Sequence, residues 1–295
     1  MAFCILSSPQ SRAELNEVDT LNRRIEELVR EKKFSEAAPL AAAGGTTGQM
    51  LSRLMDREGV RSLAILSSEE TREDFTVLEE TTGQQYRFVL PGAPLSEGEL
   101  RECLHVFEFM KPYPKFVVVS GSLLPGAPED FFSKVIRAAK KLSARVILDT
   151  SGVPLKVALN EGVYLIKPNL REFHELTGMN SADETKLVNA GRSLIDRGLV
   201  EFIALTLGAQ GALLIARDRV LRAKGLPIKP ASVVGAGDSF LGAMVWSLAR
   251  NSALEAALRY AIAAGSAALL KPGTELCQLE DVNHLAPQVI ITSRP

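Results

Sequence analysis

The chain has 295 residues, 46% of them hydrophobic, enough to bury one large α/β domain or two small ones. Its 34 Lys and Arg against 35 Asp and Glu give a net charge of −1, so no global field draws it to nucleic acid or to an anionic membrane. Its three cysteines, Cys4, Cys103 and Cys277, are widely spaced without any Cys-x-x-Cys pattern, which speaks against a disulfide framework or zinc site and fits a reducing cytoplasm.

In chain order, Met1-Ala2-Phe3-Cys4-Ile5-Leu6 is too short and lacks the basic flank of a signal peptide. Glu17–Lys33 carries Val18, Leu21, Ile25 and Leu28 at helical spacing amid charges, which predicts an amphipathic helix that packs on the domain or meets a partner. From about residue 41 onward, short β-branched runs alternate with longer helical patterns, the signature of a mostly parallel sheet covered by helices. The pattern predicts helix Thr47–Glu58, strand Ser62–Leu66, and a hairpin of Phe75–Glu79 with Tyr86–Leu90. This hairpin is either a lid or an antiparallel extension of the sheet edge. Helix Glu97–Phe109, strand Phe116–Ser120, helix Pro128–Leu142 and strand Arg145–Asp149 follow, then strand Tyr164–Ile166 and helix Leu170–Thr177. The rest reads as helix Glu184–Arg197, strand Phe202–Leu207, a hairpin of Ala212–Ala216 with Val220–Arg222, and helices Asp238–Ala249, Leu254–Leu270 and Leu279–Gln288. No apolar run reaches the roughly 20 residues that span a bilayer.

Ligands of open α/β sheets collect beyond the carboxyl ends of strands, and four loops there have distinctive compositions. Ser120-Gly121-Ser122-Leu123-Leu124-Pro125-Gly126 offers Ser122 to a polyhydroxylated ligand, or is a turn capping the next helix. In Lys167-Pro168-Asn169-Leu170-Arg171-Glu172, Asn169 and Glu172 share one face of a helix start, which suits water-mediated Mg²⁺ binding or a plain capping box. Gly208-Ala209-Gln210-Gly211 gives a close backbone approach for a flat ring, or a tight turn. Gly235-Ala236-Gly237-Asp238 opens a helix whose free N–H groups attract anions, with Asp238 either a base on a hydroxyl or a helix cap. The three histidines, His105, His174 and His284, form no pair at metal-ligand spacing, and neither a P-loop nor a dinucleotide fingerprint is present.

In this order the motifs resemble the ribokinase-like (PfkB-type) carbohydrate kinases, within them the minor-type bacterial 6-phosphofructokinase branch. The Gly235–Asp238 turn and the Lys167–Glu172 segment match the family pattern, and Ser120–Gly126 matches with Leu124 in place of a proline. Thr71-Arg72, the Gln85–Gly92 stretch, and Ala264–Ala268 followed by Gly273-Thr274 are similar to the branch, and the match runs from about Ala41 onward. The family's Asn-Pro-x-x-Asp strand and Gly-Gly-x-Gly-x-Asn segment have no counterpart before Ala41, so residues 1–40 read as an atypical helical segment with the N-terminal strands missing or replaced.

The resemblance implies a three-layer α/β/α kinase domain over residues 41–295, with a small β lid at about residues 71–92. It implies transfer of the ATP γ-phosphoryl to the 1-hydroxyl of fructose 6-phosphate, a glycolytic and cytoplasmic reaction. Fructose 1-phosphate or tagatose 6-phosphate are alternative acceptors, and a catalytically impaired nucleotide-binding remnant is a further alternative. Asp238 would be the base, with Gly235, Ala236 and Gly237 as the anion hole. Lys167, Asn169, Thr206, Gly208, Gly211 and Ala268 would hold ATP, and Asn169 with Glu172 would organise Mg²⁺ through water. Arg72, Arg87 and Ser122 would hold the sugar phosphate, and the carbonyls of Ser232 and Val234 a potassium ion, with Lys271 where the branch can carry asparagine. The lid is the usual dimer surface of the branch.

Overall fold

The computed structural model describes residues 2–6, 37–60, 63–79, 81–82, 84–110 and 113–294, in two compact units, residues 1–144 and 145–295. The helix expected over Glu17–Lys33 lies outside the described residues.

The first unit begins with β1 (Ala2–Leu6) and β2 (Ala37–Gly44), followed by α1 (Gly45–Arg57) and β3 (Leu63–Ser67). Then come β4 (Phe75–Glu79), β5 (Gln84–Phe88), α2 (Glu97–Phe109), β6 (Phe116–Ser120) and α3 (Phe131–Lys141). β1 lies between β6 and β2, antiparallel to both, with Ala2 opposite Ser120 on one side and Ala41 on the other. β2 runs parallel to β3. Strands therefore occupy both ends of the segment expected to be helical. Ala37–Gly44 contains no β-branched or aromatic residue, so its composition carries no strand signal.

β4 and β5 pair only with each other, in a two-stranded antiparallel sheet of their own, so the hairpin does not extend the main sheet. β5 starts two residues earlier than expected because the turn uses fewer residues. α2 starts on a reciprocal cap: Ser96 Oγ accepts from Glu99 N at 3.3 Å and Glu99 Oε2 accepts from Ser96 N at 2.6 Å. Glu99 Oε1 also accepts from Ser68 N at 2.7 Å, fastening α2 to the exit of β3. α3 buries Phe131, Phe132, Val135, Ile136 and Ala139, one helical face.

The second unit contains β7 (Arg145–Asp149), α4 (Gly152–Leu159), β8 (Val163–Ile166), α5 (Leu170–Thr177), α6 (Glu184–Asp196) and β9 (Val200–Thr206). It continues with β10 (Gly211–Ile215), β11 (Val220–Lys224), α7 (Ala236–Ala249), α8 (Leu254–Leu269), α9 (Leu279–Leu285) and β12 (Ile291–Arg294). β7, β8 and β9 are parallel, and β10, β11 and β12 extend them antiparallel. The α4 helix was not anticipated from sequence: Pro154 falls in its first turn, where a missing N–H is harmless.

β8 and β10 are buried at every position, so both faces of the sheet are covered, and their continuous apolar runs follow from that. α6 approaches closely at Gly191, where an added Cβ would come within 2.7 Å of the Ile215 side chain. α8 packs on β10, β11 and α7.

Candidate active site

Gly235 ends the loop before α7 with φ 77° and ψ −5°, a left-handed conformation that favours glycine. The first N–H groups of α7 have no partner within the helix, and Asp238 stands among them in its first turn. Asp238 is exposed, and its carboxylate has no hydrogen-bond or ion-pair partner among the described residues. The capping alternative therefore falls, because the backbone of Gly235 begins the helix and Asp238 is left free for a ligand. The loop is fixed from behind: Ser232, 3% exposed, donates from Oγ to Gly273 O at 2.6 Å and accepts from Val234 N at 3.2 Å. A Cβ at Gly265 in α8 would lie 3.1 Å from Ala236 O, so α8 closes on the start of α7.

Lys167 leaves β8 with its ammonium 3.1 Å from Asp149 Oδ1, the side chains 9% and 15% exposed. A Cβ placed on Gly237 would lie 3.3 Å from Lys167 Nζ, so the ammonium rests against the first turn of α7. Burial pushes the Asp149 carboxyl above its ordinary range, Lys167 opposes this, and Asp238 and Glu172 add to the rise. Lys167, Asp149, Glu172 and Asp238 thus form one electrostatic cluster. Sequence reasoning missed Asp149. Its signal was a carboxylate ending a buried apolar strand, at the end of a sheet where ligands gather.

Asn169 and Glu172 form the capping box of α5: Asn169 Oδ1 accepts from Glu172 N at 2.9 Å, and Glu172 Oε2 accepts from Asn169 N at 3.0 Å. The box uses one oxygen of Glu172, leaves Oε1 outside it, and fixes the side chain. Thr206 N donates to Pro168 O at 3.0 Å, tying the exits of β8 and β9 together. Beyond Thr206, Gly208–Gln210 forms one turn of 3-10 helix before Gly211. Gly211 has φ 99°, and a Cβ there would lie within 3 Å of the backbone of Ala223, Lys224 and Gly225, whereas Gly208 faces open space. Ala268 is buried in α8, its carbonyl accepting from Lys271 N, and Lys271 Nζ pairs with Asp281 Oδ2 at 2.7 Å.

Three carboxylates beside one lysine repel a polyphosphate unless a divalent cation joins it. Among the described residues no group of three His, Cys, Asp or Glu is placed to hold a metal alone. The residues fit Mg²⁺, which takes one or two carboxylates and completes its shell with phosphate and water.

In the first unit, Arg72 precedes β4 on a segment tied to α1. Thr71 Oγ1 donates to Gly44 O at 3.1 Å and accepts from Gly44 N at 2.9 Å, and Glu70 Oε1 accepts from Thr47 N at 2.7 Å. A Cβ at Gly92 would lie 2.6 Å from Leu124 Cδ2 and 3.4 Å from Arg72 Cδ, which brings the Ser120–Gly126 loop and Arg72 to one place. Ser122 in that loop is exposed and does not cap α3, which begins at Phe131 after Asp130. Arg87 lies in β5 opposite Thr76.

A family model for pfkB family carbohydrate kinases matches residues 30–281. The chain is 41% identical over 245 residues to the ATP-dependent 6-phosphofructokinase isozyme 2 of Mycobacterium tuberculosis, covering 83% of this chain and 72% of the relative. It is 37% identical over 251 residues to the Escherichia coli protein of the same name, covering 84% and 81%. A 1-phosphofructokinase of Xanthomonas campestris matches at 30% over 269 residues, covering 88% and 83%. Among solved structures, phosphofructokinase-2 from Escherichia coli in complex with potassium superposes with a TM-score of 0.79 at 36% identity, covering 84% of this chain and 81% of that one. The fold is ribokinase-like α/β with a mostly parallel central sheet. The matches across the family domain, together with the glycine turn that carries Asp238, establish that this chain belongs to the pfkB family carbohydrate kinases and is a phosphotransferase with an alcohol acceptor.

Proposed function

We propose that this protein transfers the γ-phosphoryl group of ATP to the 1-hydroxyl of fructose 6-phosphate, giving fructose 1,6-bisphosphate and ADP. The observation that carries the reading is the unpartnered Asp238 carboxylate in the first turn of α7, with the Lys167 ammonium against the neighbouring Gly237. Asp238 takes the proton of the attacking hydroxyl, which raises the density on its oxygen as the bond to phosphorus forms. The backbone of Gly235, Ala236 and Gly237 stabilises charge on the transferring group, and Lys167 adds a fixed positive charge beside it.

Thr206, Gly208, Gly211, Asn169 and Ala268 hold the nucleotide, and Gly208 offers the open face of its turn. Asn169 and Glu172 position Mg²⁺ through water, and the ion supplies positive charge to the phosphate oxygens when bound. Backbone carbonyls at Ser232 and Val234 are hard oxygen donors of the kind a potassium ion takes. Arg72 and Arg87 grip the 6-phosphate with two guanidinium forks, and Ser122 bonds a sugar hydroxyl.

The exposed face of the hairpin carries Phe75, Val77, Tyr86 and Phe88, with Phe75 and Phe88 stacked at 4.8 Å. That apolar face supports a homodimer through the lid. A cytoplasmic location belongs to this reading. Among the described residues no helix is long and apolar enough to cross a membrane.

An ADP-coupled assay over fructose 6-phosphate, fructose 1-phosphate and tagatose 6-phosphate tests the reading. Highest kcat/KM with fructose 6-phosphate is expected. A preference for fructose 1-phosphate or tagatose 6-phosphate reassigns the acceptor, and no turnover by folded protein on any of them overturns the fructose 6-phosphate reading in favour of a catalytically impaired, nucleotide-binding member of the family.

A further inference from the structure

We infer that Glu184 and Arg222 form a positioning pair that sets the Gly208–Gly211 turn for the nucleotide. The inference rests on the reading that this turn faces ATP. Arg222 in β11 donates from Nε to Glu184 Oε1 at 2.6 Å and from Nη1 to Gln210 O at 2.9 Å and Ala223 O at 2.5 Å. One guanidinium thus joins the first turn of α6, the 3-10 turn and its own strand. The second oxygen of Glu184 lies 3.3 Å from Arg294 Nη2 in β12, so the carboxylate is held from two sides. The Arg222 and Glu184 side chains are 19% and 35% exposed, so both ends of the charge-assisted bond are partly shielded from water.

The turn has two unlike faces. Toward β11 it is pressed close: Gly225 N donates to Gln210 O at 3.1 Å, and a Cβ at Gly225 would fall within 3 Å of the Ala209 carbonyl. On the other face, Gly208 has no atom within 4 Å of an added Cβ. Arg222 therefore pulls the turn from behind by the Gln210 carbonyl while leaving the Gly208 side open. Without it, only backbone bonds remain to hold the shape, from Gly225 N to Gln210 O, Leu207 N to Gly211 O, Gln210 N to Leu207 O and Gly211 N to Gly208 O, with no charged group among them. Sequence gave no hint of this, because Glu184 and Arg222 sit in a helix and a strand that no motif joins.

The test compares wild type, R222M and E184Q, with R101Q as a control for losing an exposed ion pair, that of Arg101 with Glu97. Calorimetric titration with Mg-ATP is expected to give a Kd raised 5-fold or more in R222M and E184Q. KM for fructose 6-phosphate and kcat should move less than 2-fold, and R101Q should match wild type. Hydrogen exchange of the amides at 208–211 should quicken in both variants without a matching change elsewhere in the second unit. Because E184Q keeps the shape and both arginines, it carries the test if R222M does not fold. Wild-type Kd and turn exchange in a folded variant overturn the inference, as does an equal rise of both KM values. A wild type that binds no Mg-ATP overturns the nucleotide reading instead, and the exchange rates then decide whether the pair holds the turn at all.

Discussion

Buried Lys167 holds its ammonium 3.1 Å from the largely shielded Asp149 carboxylate and against Gly237, so one side chain couples the end of a parallel strand to the first turn of the helix that carries Asp238. Breaking the pair from one side leaves a buried charge uncompensated. We expect D149N and K167M each to lower unfolding free energy by about 3–5 kcal/mol. The double variant D149L/K167M, apolar on both sides, should recover most of that loss while remaining inactive. Denaturant titrations of the three proteins check it, and additive losses in the double variant would contradict it.

Asp238 makes no structural bond among the described residues, so its replacement should spare the fold. D238N is expected to lose about 10²- to 10⁴-fold in kcat while its Tm and its Kd for Mg-ATP stay near wild type. Single-turnover kinetics beside a thermal melt separate these readouts. A variant retaining more than a tenth of the rate would remove Asp238 as the base.

Two glycines in one turn should respond differently to alanine. At Gly208 the added methyl meets open space and only the positive φ of 57° penalises it, by about 1–2 kcal/mol. At Gly211 the methyl runs into the Ala223 carbonyl and the Gly225 amide as well as meeting a φ of 99°. G211A should therefore be clearly less stable than G208A in urea, and the reverse order would contradict the packing described.

Glu99 gives an acid-side signature. Bonds from Ser96 Oγ, Ser96 N and Ser68 N hold its pKa at about 2, well below the ordinary 4.5. A depressed carboxylate stabilises the fold fully above pH 4.5 and loses that contribution as pH falls toward 2. E99Q should be less stable than wild type by about 1–3 kcal/mol at neutral pH, and the gap should close between pH 4.5 and 2. Urea midpoints of both proteins across that range test it; a gap that stays constant with pH would show that the charge of Glu99 contributes nothing.

What the sequence determined by itself was local. The apolar run Phe116–Ser120, the Asn169–Glu172 box and the Gly235–Asp238 turn each declare their structure within a few residues, since hydrogen bonds and backbone freedom act over that range. Helix Glu97–Phe109 was legible to its ends, although the Ser96–Glu99 box that starts it came to light only in the structure. Strand Ala2–Leu6 was not: five residues become a strand only when β2 and β6 supply hydrogen-bond partners on both sides. The choice between lid and sheet edge for β4 and β5 also belonged to tertiary structure, because it depends on which neighbour a strand meets. The same holds for the chemistry around the opening turn of α7. Sequence placed Asp238 at a helix start, but only the fold shielded Asp149, set Lys167 between it and Gly237, and stretched Arg222 from Glu184 to Gln210. A charge pair acquires its strength from the low-dielectric surroundings that the whole chain assembles, and no spacing in the sequence records them.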